Sequence, residues 1–358
     1  MRIQSGLFWA LLLGTGPALT ADILYSVTNL GTLGGEYSFG TGINNAGQVA
    51  GASATPTLHA FLYTNGQMQD LGTLGGFNSV SYGINDAGQV TGFSQRSIGF
   101  EHAFLYTNGR MIDLGTLGGD PSVGYSLNNA GQITGYSATS AGALATHAFL
   151  YTNGRMQDLG TLGGDASYGT GINNIGQVTG YSETFHNLST EHAFLYTNGR
   201  MQDLGTLGGE DSFGKAVNNG GQVTGDSLTS TNLSHAFLYT NGQMQDLGTL
   251  GGDRSIGFSI NSTGQVTGYA ETDVGLPHAF LYSNGQMQDL NDLIDPTLGI
   301  TLAEATAIND QGQIVANSSV NGATSSVYLL TPVPEPSTCV LLGMALLSLP
   351  AWSQTRKS

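Results

Sequence analysis

The chain is poor in charge, in cations and in cysteine. Of its 358 residues only 9% are Asp, Glu, Lys or Arg, against roughly 25% in an average soluble protein. Nine are Lys or Arg and 25 are Asp or Glu, a formal charge of -16. A surface with so few cations offers no basic patch to a phosphate backbone, which excludes nucleic acid as a partner. The single cysteine, Cys339, excludes an internal disulfide framework and any paired-cysteine metal knuckle. There is no Gly-X-Y period, so the glycines are not those of collagen. The apolar fraction, 39%, is too high for a disordered acidic tail. What is abundant is glycine: 55 residues, more than twice the usual ~7% share. These proportions favour a folded, weakly charged, glycine-rich β protein.

Both ends read as addresses. Arg2 precedes an apolar run from Leu7 to Leu13, followed by Gly-Thr-Gly-Pro and the small residues Ala18 and Ala21. A basic start, a short apolar middle and a small-residue exit describe a secretory signal peptide over residues 1–21. The alternative, an N-terminal anchor, has a run shorter than the ~20 residues a span needs. The C-terminus runs Val333-Pro334-Glu335-Pro336-Ser337, then apolar from Cys339 to Trp352, then Arg356-Lys357. A breaker, a hydrophobic helix and a basic end make a membrane stop with its cations held inside. This segment, 332–358, resembles the PEP-CTERM sorting signal of Gram-negative bacteria. It departs from that pattern in Pro350 and in its basic cluster of two residues. The resemblance implies exosortase-type machinery as a partner and transient inner-membrane anchoring. A plain tail anchor is the alternative.

Between the addresses one unit repeats. Asp-Leu-Gly-Thr-Leu-Gly-Gly begins at Asp70, Asp113, Asp158, Asp203 and Asp246, with a variant at Asn29 and a degenerate copy at Asp289. His-Ala-Phe-Leu-Tyr begins at His59, His102, His147, His192, His235 and His278. Asn-x-x-Gly-Gln begins at Asn44, Asn85, Asn128, Asn173, Asn218, Asn261 and Asn309. Among the first six units, all length variation falls between the glycine seven residues after each Asn and the next His, in steps of two. A hairpin that grows one residue per strand keeps its register, which explains the step. The one longer link is Asn291–Ala303, five residues over the others.

The turn chemistry predicts four short strands per unit. Asn44-Asn45-Ala46-Gly47 fits a type I turn followed by left-handed glycine, and Asn65-Gly66 fits a tight hairpin. The strands are a (around Thr41–Asn44), b (Gln48–Ala52), c (His59–Thr64) and d (Gln67–Leu71). Turns a–b and c–d then share one face, and the variable b–c loops and Gly-Gly links share the other. Four strands in 41 to 45 residues, seven times over, read as propeller blades. Tyr25–Gly35 matches only strand d and its link, and Ala305–Thr331 matches only a, b and c. The first segment therefore completes the last blade and removes exposed sheet edges. The expectation is an all-β, seven-bladed β-propeller of four-stranded blades over residues 22–331, plus a C-terminal hydrophobic helix. An open solenoid is the competing architecture. The unit resembles the HAF repeat of probable extracellular proteins, a likeness that covers 25–331 and is specific to the repeat, not to a reaction.

Six equivalent histidines invite a metal reading. A group repeated in every blade is better explained by bonding within the blade. Hairpin counting places Tyr63 opposite Met68 and Phe61 opposite Asp70, which leaves His59 and Asp70 as diagonal neighbours. The same count gives His102–Asp113, His147–Asp158, His192–Asp203, His235–Asp246 and His278–Asp289. In the closing blade Ser326 and Asn29 replace both partners together. The link face carries Glu36, Asp120, Asp165, Glu210 and Asp253, each followed two residues on by serine. Carboxylates with hydroxyls suit calcium or a polyol, and this rim is the candidate binding set; a solvated loop rim is the plain alternative. Residues that break the repeat mark a unique site: His186, Lys215 (the one core lysine) and Asp226. Tyr136, Tyr181, Phe93, Phe185 and Tyr269 offer stacking surfaces. No catalytic motif is present. The sequence points to an exported, non-enzymatic structural or adhesive protein of the envelope or matrix that binds exopolysaccharide, or surface proteins, through its variable-loop face. A polysaccharide lyase or hydrolase using His186, Lys215 and Asp226 is the second reading, and a surface coat without a small ligand the third.

Overall fold

The computed structural model describes residues 25–97, 99–140, 145–185, 188–318 and 326–334. The expected signal peptide, the hydrophobic helix, Glu335, Pro336, Arg356, Lys357 and His186 lie outside the described residues; Pro334 is exposed at their end. No helix among the described residues is long and apolar enough to cross a membrane.

Two turns set each blade. Asn65 and Gly66 both have positive φ, 50° and 79°, the type I′ geometry whose twist matches the flanking strands. At the other turn Gly47 has φ 74°, and its N–H donates to Asn44 O at 3.0 Å. Strands a to d of blade 1 are Ser38–Ile43, Val49–Ala54, Leu58–Thr64 and Gln67–Asp70. Tyr63 stands opposite Met68, Leu62 opposite Gln69 and Phe61 opposite Asp70.

Seven four-stranded antiparallel sheets of this kind make a seven-bladed β-propeller. In the last sheet the order is Tyr25–Asn29, Val327–Pro332, Ile314–Ser318, Leu302–Ile308. Tyr25 pairs with Pro332 and Val27 with Leu330, so the start of the described chain is the outer strand of the final blade. That pairing rules out the open solenoid. The longer link before this blade folds into two 3-10 turns, Leu290–Leu293 and Pro296–Leu298, and buries Leu290, Leu293 and Ile294.

The core lies between blades. Phe104 packs with Ala50, Ala60, Leu62 and Leu71 of the preceding blade, and it and its five equivalents are fully buried. Each such ring contributes about 1.5–3 kcal/mol. Strand b needs glycine there: a Cβ on Gly135 would lie 1.8 Å from Val123 O. The serine of the link closes the same seam. Ser79 Oγ donates to Gly72 O at 2.6 Å and accepts from Ala60 N–H of the preceding blade at 2.9 Å.

The repeated Asn ties the inner ends together. Asn44 Nδ2 donates to Asn85 O, Asn85 to Asn128 O, Asn128 to Asn173 O, and so on to Asn309, which donates back to Asn44 O. All seven side chains are buried. Their Oδ1 atoms accept from the turn, as Asn128 Oδ1 does from the N–H groups of Ala130 and Gln132. A second, exposed set of caps joins six of the seven pairs of neighbouring turns, with Asn129 N–H donating to Asn174 Oδ1.

Removing Asn128 orphans several buried groups at once. Asn128→Ala should destabilise the propeller by about 2–3 kcal/mol in urea unfolding, while Asn129→Ala in the exposed set should cost about 0.5 kcal/mol. Equal effects would contradict the assignment of the buried ring as the tie.

Candidate functional site: an axial pocket lined by bulge residues

Every innermost strand carries a β-bulge at one equivalent position. The register slips between Gly40 and Gly42, Ser81 and Gly83, Gly124 and Ser126, Gly169 and Gly171, Gly214 and Ala216, Gly257 and Ser259, and Ala305 and Ala307. The extra residues are Thr41, Tyr82, Tyr125, Thr170, Lys215, Phe258 and Thr306. A bulge re-aims a side chain, and all seven line one axial cavity of about 490 Å³. Below it Ile43, Ile84, Leu127, Ile172, Val217 and Ile308 separate it from a second cavity of about 240 Å³ beside the Asn ring.

The two columns above the bulge also vary. They form cross-strand pairs: Phe39–Ala52, Val80–Phe93, Val123–Tyr136, Tyr168–Tyr181, Phe213–Asp226, Ile256–Tyr269 and Glu304–Asn317. Rings from these columns and the bulges touch in series: Phe93–Tyr82 at 6.1 Å, Tyr82–Tyr125 at 5.0 Å, Tyr125–Tyr136 at 5.8 Å, Tyr136–Tyr168 at 5.2 Å, Tyr168–Tyr181 at 4.8 Å and Tyr181–Phe213 at 5.2 Å. The result is an unbroken aromatic arc over blades 2 to 5. The bulge threonines turn to the backbone instead: Thr41 Oγ1 donates to Ser81 O at 2.9 Å and Thr170 Oγ1 to Gly214 O at 2.7 Å.

Lys215 ends the arc. Its Nζ sits 5.4 Å from the Phe213 ring centre and 5.7 Å from that of Tyr181, a cation–π arrangement. Asp226 Oδ1 is 3.8 Å away, an ion pair without a hydrogen bond. Ser234 Oγ donates to Asp226 Oδ2 at 3.0 Å; Oδ1 is buried without a hydrogen bond. Burial pushes the Asp226 carboxyl above the usual range, against the pull of Lys215 and Ser234. On blade 7 Glu304 faces the pocket and accepts from Asn317 Nδ2 at 3.0 Å.

The repeated histidines lie elsewhere, on strand c. His59 Nδ1 is 2.8 Å from Asp70 Oδ2, and the same contact joins His147–Asp158, His192–Asp203 and His235–Asp246. His278 pairs with Asp289 likewise. The other carboxylate oxygen caps the link, as Asp203 Oδ1 accepts from Gly205 N–H at 2.7 Å. Asn29 Oδ1 keeps that cap in blade 7, accepting from Gly31 N–H at 2.9 Å. His102 has a carboxylate on each ring nitrogen: Asp113 at 2.7 Å and Asp120 at 2.8 Å.

The link rim differs from a calcium set. Glu36, Asp120, Asp165, Glu210 and Asp253 are exposed. The serines expected to join them are fully buried, and each hydroxyl is engaged in the seam described for Ser79, as at Ser122, Ser167, Ser212 and Ser255. Among the described residues no cluster of metal-ligating side chains occurs. Of the expected stacking residues, Phe93, Tyr136 and Tyr181 join the arc, Tyr269 pairs with Phe258 at 5.9 Å, and Phe185 stands exposed at the end of its strand b. The bulge column and Glu304 were not recognised in the sequence as a pocket. Their signal was there: columns that vary inside an otherwise constant repeat.

No protein-family model matches the chain, and no characterised protein matches by sequence. Solved structures do. TolB from Acinetobacter baumannii is 12% identical with TM-score 0.43, over 58% of this chain and 53% of that one. A puromycin-hydrolysing peptidase from Mycobacterium tuberculosis is 10% identical with TM-score 0.54, over 83% and 52%. A gluconolactonase from Xanthomonas campestris is 9% identical with TM-score 0.45, over 88% and 93%. The chain spans about half the length of the first two. At 10% identity the likeness to the peptidase shows the fold alone.

Two measurements follow. His192→Ala should lower Tm by about 1–3 °C; an unchanged melt contradicts a bonding role. Asp226 binds its proton more tightly folded than unfolded. Folded protein therefore holds more protons between the two pKa values, and stability falls as pH rises through that window, from about 4 upward. Asp226→Asn should remove this loss, so the variant gains on the wild type as pH rises in urea titrations; a constant difference would contradict the buried-carboxyl assignment.

Proposed function

We propose that this protein is an exported, non-enzymatic propeller of the cell envelope or exopolysaccharide matrix that binds glycan at the axial pocket. The observation that carries the reading is the confinement of variation. The blades are near copies, yet the bulge column varies, and its seven side chains converge on one cavity that Tyr181 and Glu304 of the adjoining columns also line, with Tyr82, Tyr125, Tyr181 and Phe258 as its rings. Flat rings beside hydroxyls, an ammonium and a carboxylate suit a sugar, whose faces are apolar and whose edges hydrogen-bond. The pocket lies on the side of the b–c loops and links, so the site moves from the acidic rim to the axis of that same face.

Export and envelope sorting rest on the end segments and their likeness to a signal peptide and a PEP-CTERM signal, with exosortase-type machinery as the processing partner and a transient membrane anchor. An axial glycan site would let such a protein crosslink matrix polymer. The lyase or hydrolase reading would use Lys215 and Asp226; the buried Oδ1 of Asp226 makes it a poor proton acceptor for a bound polymer.

Co-sedimentation with matrix polysaccharide from the native cells tests the reading. Binding should saturate, persist in chelator, and release no oligosaccharide. Tyr82→Ala with Tyr125→Ala should weaken it about tenfold or more, at about 1 kcal/mol per ring. Absence of binding by the wild type would refute the glycan reading, and chelator sensitivity would return the acidic rim to consideration.

A further inference from the structure

Lys215 shows what the aromatic arc attracts. The protein places its own ammonium over two rings at one end of the arc, with a carboxylate behind it. Along the rest of the arc, on blades 2 to 4, the same elements recur without a lysine or arginine lining the pocket. Tyr82 and Tyr125 face the cavity with centroids 5.0 Å apart. Glu101 lies at the Phe93 end of the arc, where it lines a neighbouring cavity together with Val80 and Phe93. Glu101 acts on Tyr82 and Tyr136, and Glu191 on Tyr168 and Tyr181, each adding to burial in holding the phenols protonated. Lys215 and Glu304 are the charged side chains lining the pocket, and Lys215 has Asp226 at 3.8 Å.

We propose that the arc is a site for organic cations, and that the glycan it takes is one bearing free ammonium groups, an amino-sugar polymer. Ring faces present negative quadrupole to an ammonium, and a desolvated site strengthens that attraction. Glu304 in the pocket and Glu101 at the end of the arc favour the same charge and disfavour a uronic acid. The Lys215 ammonium thus mimics, within the fold, the group that a ligand would place over Tyr82 and Tyr125. This inference rests on the axial glycan reading and specifies its ligand.

The test uses the full-length protein at pH 6 and three hexasaccharides: glucosamine, which is cationic, its N-acetylated form, which is neutral, and galacturonate, which is anionic. Calorimetry should show the glucosamine hexamer binding at least tenfold tighter than the neutral one, with the anionic one weakest. The acidic chain attracts any polycation at long range, so a site variant must decide. Tyr125→Leu leaves net charge unchanged and should abolish the tenfold preference; Tyr125→Phe keeps a ring and should retain it. Should Tyr125→Leu fail to fold, Glu101→Gln, at the edge of the arc, should reduce the preference severalfold. Equal binding of cationic and neutral hexamers would overturn the cation inference and leave the glycan reading standing. A preference that survives both Tyr125→Leu and Glu101→Gln would also overturn it. Binding of none of the three would overturn both.

Discussion

The molecule depends on one hydrogen bond made seven times: the buried Asn side chain of each blade donating to the main chain of the next. A closed ring of such bonds has no free end. Each Asn must sit at the same height and distance from its neighbour, so each blade must present the same turn to the axis. Uniform turns demand uniform strands behind them, and the constant His-Ala-Phe and Asp-Leu-Gly segments meet that demand. Phenylalanine from one blade fills the space left by alanine in its neighbour and lies against the strand-b glycine of its own blade. The link serine joins the same two blades through a donor and an acceptor. Closure by the N-terminal strand completes the last sheet with main-chain bonds at both edges of Val327–Pro332.

Such a frame leaves little room for individuality. A residue can differ between blades only where it touches neither the seam nor the ring. On the inner strands this means the bulge and the cross-strand pair above it. Lys215, Asp226 and Glu304 are found there and nowhere else in the constant part of the repeat. An ammonium held over Phe213 and Tyr181 is stabilised by rings that exist in those columns because nothing else constrains them. Variation at the b–c hairpin ends is of another kind: Phe100, Phe185 and Val274 stand out in solvent.

Much of this was legible in the sequence. Asn-Gly and Asn-x-x-Gly-Gln turns gave the strands, the truncated end units gave the closure, and counting from Asn65-Gly66 placed His59 beside Asp70. Those are local rules acting through fixed spacing. Three things were not legible. Nothing in the spacing marks a bulge at Thr41 or Lys215, because a bulge appears only when two strands are paired. The Asn ring needs the distance between blades, which no single unit contains. The serines after Glu36 and Asp120 looked like partners for those acids because they are two residues apart; burial against the preceding blade decides otherwise. The closing blade carried the clearest hint. Ser326 and Asn29 change together, and Asn29 retains only the function that does not need a histidine, capping Gly31.

The central claim is that recognition happens at the axis and not at the loop rim. Hydroxyl-radical footprinting of the protein, alone and saturated with its polysaccharide, tests this directly. The account predicts slower oxidation of Tyr82, Tyr125 and Phe258 in the complex, with Phe77, Phe100 and Phe185 unchanged. Protection of Phe77, Phe100 and Phe185 with the axial rings oxidised as before would contradict it.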